Sequence, residues 1–237
     1  MKTKRVLLFL TVMILLIDLA YFYPYLTGEV VRYEIEPALA TKILDGDTIE
    51  INNQTRVRLL CINSPEKGKP YYEEAKLFLT KIDNKEIGIL RDSEDRDRYN
   101  RSLRYIFYDG EMVNKEILEQ GLAHVYLCAG LRYEKELQKA EEKARENEIG
   151  IWKKSTSECA GCIELLELNA EEEFFILKNN CNLDCKLEGK DEANHFFKIG
   201  MLAGEEKRIE SKGNIWNNDG DRLFLRDGEG LVLYYSY

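Results

Sequence analysis

The pattern of apolar and polar positions changes character twice along the chain. Residues 6–17 form an apolar run, preceded by Lys2, Lys4 and Arg5 and followed by Asp18. From about residue 40 the periodicity alternates between two and 3.6. Residues 41–51 alternate loosely around Asp45-Gly46-Asp47, a turn signal between strand-like runs. Residues 55–62 read as the next strand. Residues 69–82 carry Tyr72, Ala75, Leu79 and Ile82 at helical spacing. A short strand at 86–90, a charged loop at 92–100 and a strand at 102–108 follow, the last ending in an Asp109-Gly110 hairpin turn. Residues 113–120 predict a helix stopped at Gly121. Residues 122–127 are strand-like, and 131–148 form a long amphipathic helix with Leu137, Ala140 and Ala144 on one face. This order predicts a small barrel with helices packed outside it. Beyond residue 155 only short strand candidates appear, at 163–168, 173–178, 195–199, 222–226 and 231–234. Turns such as Asn218-Asp219-Gly220 and Asp227-Gly228 separate some of them. The expected fold is mainly β with helices: a barrel, then a small all-β sandwich.

A chain of 237 residues accommodates two small domains. Residues 1–28 are not globular in pattern. A basic start before about twelve apolar residues is a signal-peptide pattern, while the stretch up to Leu26 reaches the roughly 20 residues of a bilayer span. An uncleaved N-terminal hydrophobic helix, a signal anchor, is the expectation because no small-x-small cleavage site stands out, with a cleaved signal peptide as the alternative. Either one exports the rest, since the basic flank stays inside. The protein is therefore expected either anchored to the membrane and facing outside the cytoplasm, or secreted.

The net charge of −9 is unevenly distributed: residues 38–154 carry 22 acidic and 21 basic side chains, residues 155–237 carry 17 and 9. The shift near 155, at Ser155-Thr156-Ser157, suggests a linker between domains at 38–154 and 158–237. An acidic tail argues against non-specific nucleic-acid binding, which rests on Lys and Arg. The middle has no basic patch in sequence, so composition alone does not point to nucleic acid.

Particular residues do. Asp47 lies in the DGDT turn, Arg58 in an otherwise apolar strand, Asn63 and Glu66 just after it, and Arg101 in RYNRSLRY. Two arginines beside an acidic cluster suit a phosphodiester. A hard cation such as Ca²⁺ takes oxygens from carboxylates, amides and carbonyls. Asp47, Asn63 and the Ser64 carbonyl are the candidate metal ligands. Arg58 and Arg101 can hold phosphate oxygens with a planar fork and stabilise transition-state charge. Glu66 can orient or deprotonate a water, and Pro65 fixes the chain before it. By default each piece has a plainer role: a turn, a surface ion pair, a solvated loop over residues 95–98.

The runs LDGDTIEI, RVRLLCINSPE and DRYNRSLRYIFYDGEMVNKEILEQGLAHV together resemble the thermonuclease (staphylococcal nuclease-like) family, over about residues 40–152. The resemblance implies an OB-fold barrel with helices and Ca²⁺-dependent hydrolysis of DNA and RNA at the 5′ O–P bond. Carried over by motif, Asp47 and the Ser64 carbonyl are calcium ligands. Glu66 positions or activates water, and Arg58 and Arg101 are the catalytic arginines. Arg98, Tyr99 and Tyr126 fall where the family contacts the nucleotide. The reading from another class is a binding or scaffolding protein that keeps the fold with little activity.

The tail run ELLELNAEEEFFILKNNC through WNNDGDRLFLRDGEGLVL resembles a lamin-tail domain, which implies an immunoglobulin-like sandwich that binds or scaffolds an unknown ligand. His195 and Trp216 read there as structural residues. Cys159, Cys162, Cys181 and Cys185 have an even count and a spacing that suits two disulfides, a zinc site or free thiols. Cys61, in an apolar strand, reads by default as a buried thiol, with a bond to Cys128 open after export. Asn100-Arg101-Ser102 is a formal glycosylation sequon, expected to be unmodified because a glycan would crowd the site.

The chain departs from the family at Asn63, where the family usually has Asp. An amide oxygen still coordinates calcium but removes one negative charge, so weaker binding is expected, in the millimolar range. Asn63→Asp is therefore expected to lower the calcium midpoint of cleavage, and an unmoved midpoint would remove Asn63 from the ligand set.

Overall fold

Five strands close on themselves in the first half of the molecule: β1 (Glu36–Ile43), β2 (Thr48–Ile51), β3 (Thr55–Leu59), β5 (Glu86–Leu90) and β6 (Ser102–Tyr108). The computed structural model describes residues 34–237 except 53 and 212, and of the first 33 residues only Met13. The expected N-terminal anchor or signal segment thus lies outside the described residues. Among the described residues no helix is long and apolar enough to cross a membrane.

The sheet runs β3-β2-β1-β5-β6, with antiparallel neighbours, and closes through a parallel β3–β6 pairing, Val57 opposite Ser102 and Leu59 opposite Arg104. Closure removes sheet edges and gives a five-stranded barrel consistent with an OB fold. Period-two burial of Ala38 and Ala40, Val57 and Leu59, and Ile87 and Ile89 fills its interior. β7 (Glu111–Met112) adds a short hairpin to β6.

The strand expected over 55–62 breaks. The chain turns at Leu60 and Cys61, the latter at φ 67°, and resumes as β4 (Ile62–Asn63), which pairs with β8 (His124–Val125) outside the barrel. Two constraints hold the turn. Buried Asn114 donates to Leu60 O at 2.9 Å and accepts from Ile106 N at 2.8 Å. Cys61 is bonded to Cys128, which replaces the default reading of Cys61 as a buried thiol.

Helix α1 (Tyr72–Leu79) buries Tyr72, Ala75 and Leu79 and ends in a 3₁₀ turn, Thr80–Ile82. It starts later than the periodicity suggests because Tyr71 sits at φ 68°, outside helical space. α2 (Val113–Glu119) and α3 (Glu134–Glu146) pack on each other, with Leu137, Ala140, Glu141 and Ala144 of α3 buried.

The second half contains two sheets. β9 (Ile163–Asn169), β10 (Phe174–Asn179) and β13 (Glu206–Glu210) form one; β11 (Cys185–Lys190), β12 (Phe196–Met201), β14 (Arg222–Arg226) and β15 (Leu231–Ser236) form the other. Phe175 and Leu177 of the first meet Leu187, Ile199, Leu223 and Leu225 of the second in one core, with Trp216. The four tail cysteines pair as Cys159–Cys185 and Cys162–Cys181.

Residues 35–237 form one compact unit. An aromatic seam joins its halves: Trp152 and Ala144 from the barrel side pack with Phe224 and Leu231 from the sheets, and Tyr234 meets Trp152 edge-on at 5.2 Å. The connection at 155–157 is tied down rather than loose. Ser155 and Ser157 hydroxyls both donate to Asp227 Oδ2, at 2.6 and 2.5 Å, and Thr156 Oγ1 donates to Glu229. Burial pushes the Asp227 carboxyl up, but the Ser155 and Ser157 hydroxyls together with the Glu229 and Gly230 N–H groups hold it below its ordinary range.

The Cys61–Cys128 bond closes a loop 67 residues apart in sequence. Replacing both cysteines by alanine is expected to cost up to about 4 kcal/mol of folding stability by loop-closure entropy, read from urea unfolding under non-reducing conditions.

Candidate active site

An open cavity of about 1000 Å³ lies between the end of the barrel at β2 and β3, the turn at 63–66 and the loop at 94–101. Asp47, Arg58, Asn63, Ser64, Glu66, Arg98, Tyr99, Arg101 and Tyr126 all line it. The structure therefore gathers these nine sequence candidates and leaves the four tail cysteines elsewhere, as staples of the second half.

Asp47 is 5% exposed. Its Oδ1 accepts from Thr48 Oγ1 at 2.8 Å and meets Arg58 Nη1 at 2.9 Å; its Oδ2 accepts from Ser64 N at 3.0 Å and Ser64 Oγ at 3.1 Å. Gly46 permits this approach: a Cβ there would stand 2.7 Å from Ala75 Cβ and 2.8 Å from Ser64 Oγ. The rest of the Arg58 fork donates to Asn63 Oδ1 at 2.9 Å and Ile62 O at 3.2 Å.

The loop around Arg101 is built rather than merely solvated. Asp97 Oδ1 accepts from the Tyr99 and Arg101 backbones, both at 2.9 Å, and Oδ2 accepts from Arg101 Nε at 2.6 Å. Against the upward push of burial, these bonds hold Asp97 below the ordinary carboxylate range. Arg101 Nη1 also reaches Thr48 Oγ1 at 3.2 Å. Tyr99 is exposed, with the Arg98 and Arg101 guanidiniums 4.8 and 5.4 Å from its ring centre. Tyr126 is partly buried, and burial raises its phenol above the ordinary value.

Two features escape the sequence reading. Asp45 also lines the cavity, its carboxyl raised by burial and by the Asp47 charge. The loop at 191–195, between β11 and β12, reaches the same turn from the far half of the molecule. Glu192 O accepts from Asn63 Nδ2 at 2.9 Å and pairs with His124 Nε2 at 2.8 Å. Asn194 Nδ2 donates to Ser64 O at 3.3 Å and to Glu66 Oε1 at 3.5 Å. No local pattern announces contacts across roughly 130 residues; the only cue is DEANH, a polar cluster between strands. His195 is held by Asp191, Nδ1 to Oδ2 at 2.5 Å. Burial and Arg226 lower Lys190 to about 7, and burial and Asp221 raise Glu192 to about 7.

The donors available to a cation here are oxygens, among them the Asp45 and Asp47 carboxylates, the Asn63 amide and the Ser64 carbonyl. This set suits a hard ion such as Ca²⁺ rather than a thiophilic one. Asp45 and Asp47 place two carboxyl groups side by side in this cavity. Among the described residues no group of three or more His, Cys, Asp or Glu side chains is arranged to hold a metal, so amide and backbone oxygens would have to contribute.

Residues 56–154 match the family described as "Staphylococcal nuclease homologue". The chain is 30% identical over 130 residues to the "Thermonuclease" of Staphylococcus intermedius, covering 50% of this chain and 77% of that protein. It is 28% identical over 122 residues to the "Thermonuclease" of Staphylococcus hyicus, covering 47% and 72%. It is 31% identical over 135 residues to the "SPbeta prophage-derived endonuclease YokF" of Bacillus subtilis (strain 168), covering 52% and 46%.

His124 is wholly buried, and burial, with Lys190 and Arg222 nearby, holds its pKa well below the ordinary value. Among the described residues its Nδ1 has no partner, so Nε2 carries the proton and donates to Glu192 O. Neutral His124 favours the fold above the unfolded pKa of about 6.5, and this contribution is lost as pH falls below it. Stability is expected to decline below pH ~6.5 with a share of up to about 1.4 kcal/mol per pH unit from this group. His124→Gln should lack that share in urea unfolding across the same range.

Proposed function

The chain belongs to the staphylococcal nuclease homologue family, and on that premise we propose that it hydrolyses phosphodiester bonds of DNA and RNA in a calcium-dependent reaction. One observation carries the reading: Arg58, Arg101 and Glu66 converge on a single open cavity that also holds Asp45 and Asp47.

Calcium, held by Asp47, the Asn63 amide oxygen and the Ser64 carbonyl, would supply charge neutralisation and polarisation of the phosphoryl group. Glu66, exposed at the cavity mouth, takes the proton of the attacking water. Arg58 and Arg101 hold the non-bridging phosphate oxygens and stabilise charge as the bond to the 5′ oxygen breaks. Their existing bonds to Asp47, Asn63, Asp97 and Thr48 fix both guanidiniums before substrate arrives, which reduces the entropy lost on binding. Arg98, Tyr99 and Tyr126 contact the nucleotide, the exposed Tyr99 ring as a stacking surface.

The same proposal sets the protein outside the cytoplasm, anchored by or released from its N-terminal segment. The three disulfides support an oxidising compartment. The second half serves as a lamin-tail-like binding module.

The test follows cleavage of single-stranded DNA by the full chain against calcium concentration, with an EDTA control. Glu66→Gln and Arg101→Ala are each expected to lower kcat by about 100-fold or more while the protein stays folded. DNA bound but uncut at several millimolar calcium would favour the binding-protein reading instead.

A further inference from the structure

The active-site turn at 63–66 is held by a loop from the far half of the chain. Resting on the nuclease reading above, we infer that Asn194 is a positioning residue of the active site, orienting Glu66 and the Ser64 carbonyl, and that Lys190 fixes the orientation of its amide. The second half of the molecule then forms part of the catalytic apparatus as well as a module beside it.

Glu66 itself sits on an exposed turn after Pro65, and an unheld carboxylate there would sample several rotamers. Asn194 Nδ2 donates to Glu66 Oε1 at 3.5 Å and to the Ser64 carbonyl at 3.3 Å. One amide group therefore touches both the proposed base and a proposed ligand carbonyl. An asparagine amide can face either way, and an ammonium partner, which only donates, removes that ambiguity while it stays protonated. Lys190 Nζ donates to Asn194 Oδ1 at 2.6 Å, which directs Nδ2 toward the turn. Lys190 is anchored in turn, at the end of β11 with its ammonium 4.7 Å from the Phe224 ring centre.

The loop is not free to drift. Its Glu192 carbonyl receives Asn63 and His124, its Glu192 N–H donates to Asp221, and Asp191 Oδ1 accepts the His195 N–H at 2.7 Å. Asn194 lies at φ 66°, a conformation that asparagine tolerates better than most residues. This also gives Asn63 a second use. Its NH₂ group pins the loop through Glu192 O, and a carboxylate at 63 would set an oxygen against that carbonyl.

The experiment compares the full-length wild type with Asn194→Gly, Asn194→Asp, Lys190→Met and the Lys190→Met/Asn194→Gly pair. Glycine removes the amide without straining φ; aspartate keeps the contact to Lys190 but replaces the donor with a second carboxylate near Glu66. Cleavage of single-stranded DNA at saturating calcium gives kcat and KM, and thermal melting gives Tm. Expected is a fall in kcat of about tenfold for Asn194→Gly, with KM within about twofold, and a larger fall for Asn194→Asp. Lys190→Met should lower kcat less, and the double variant should be no slower than Asn194→Gly, because the two residues act in series. Wild-type kcat in both Asn194 variants would overturn the inference alone. So would losses confined to KM and Tm, or losses that multiply in the double variant. A wild-type chain that binds DNA without cutting it would instead defeat the nuclease reading and this inference with it.

Discussion

A carboxylate removed from water must find its partners inside the protein, and Asp47 finds four: Arg58, Thr48, and both the backbone and hydroxyl of Ser64. These partners come from the start of β2, the neighbouring β3 and the turn after β4. This buried charge thereby fixes the mutual position of the three segments that carry Asp47, Arg58 and Ser64. Without Arg58 it would be an uncompensated buried charge, so charge compensation and alignment of the arginine are one interaction. Gly46 is its steric condition, because only a residue without Cβ lets the turn lie against Ser64 and α1.

The acidic balance of the second half acquires a structural meaning in this arrangement. Glu192 and Asp221 crowd the seam together with Glu141 of α3, and Arg222 runs between them, 2.7 Å from Glu141 and 3.7 Å from Glu192. Glu141 also accepts the Val125 N–H, so the same oxygen serves the β8 backbone and the facing sheet. On the opposite side Lys69 meets Glu188 at 2.9 Å and lies over the Phe196 ring. Part of the negative charge is therefore committed to the joint between the halves, in groups that are partly desolvated and mutually coupled.

Legibility in the sequence followed locality. The strands at 86–90, 102–108 and 222–226 were readable to the residue, because each alternates or runs apolar between turn signals. The nine cavity residues were readable because they cluster within four short motifs. Strand β11 was not: its inward residues are Cys185, Leu187 and Gly189, and the last leaves no side chain to mark the period. Strand β13 was hidden for the opposite reason, since Glu206, Lys207, Arg208 and Glu210 clothe a sheet edge in charge. The break at Leu60 and Cys61 depends on Asn114 and Cys128, both more than fifty residues away. The reach of Asn194 to the turn at 63–66 left only the polar cluster DEANH as a trace, being a property of how two folded halves meet.

The tied connection at 155–157 bears on how the molecule meets a protease. A protease needs a stretch of chain that can detach from the body and lie extended in its cleft. Where composition changes most sharply, and where a cut would be anticipated, three hydroxyls hold the backbone against the hairpin between β14 and β15. The boundary visible in composition is thus not expected to be a boundary in digestibility.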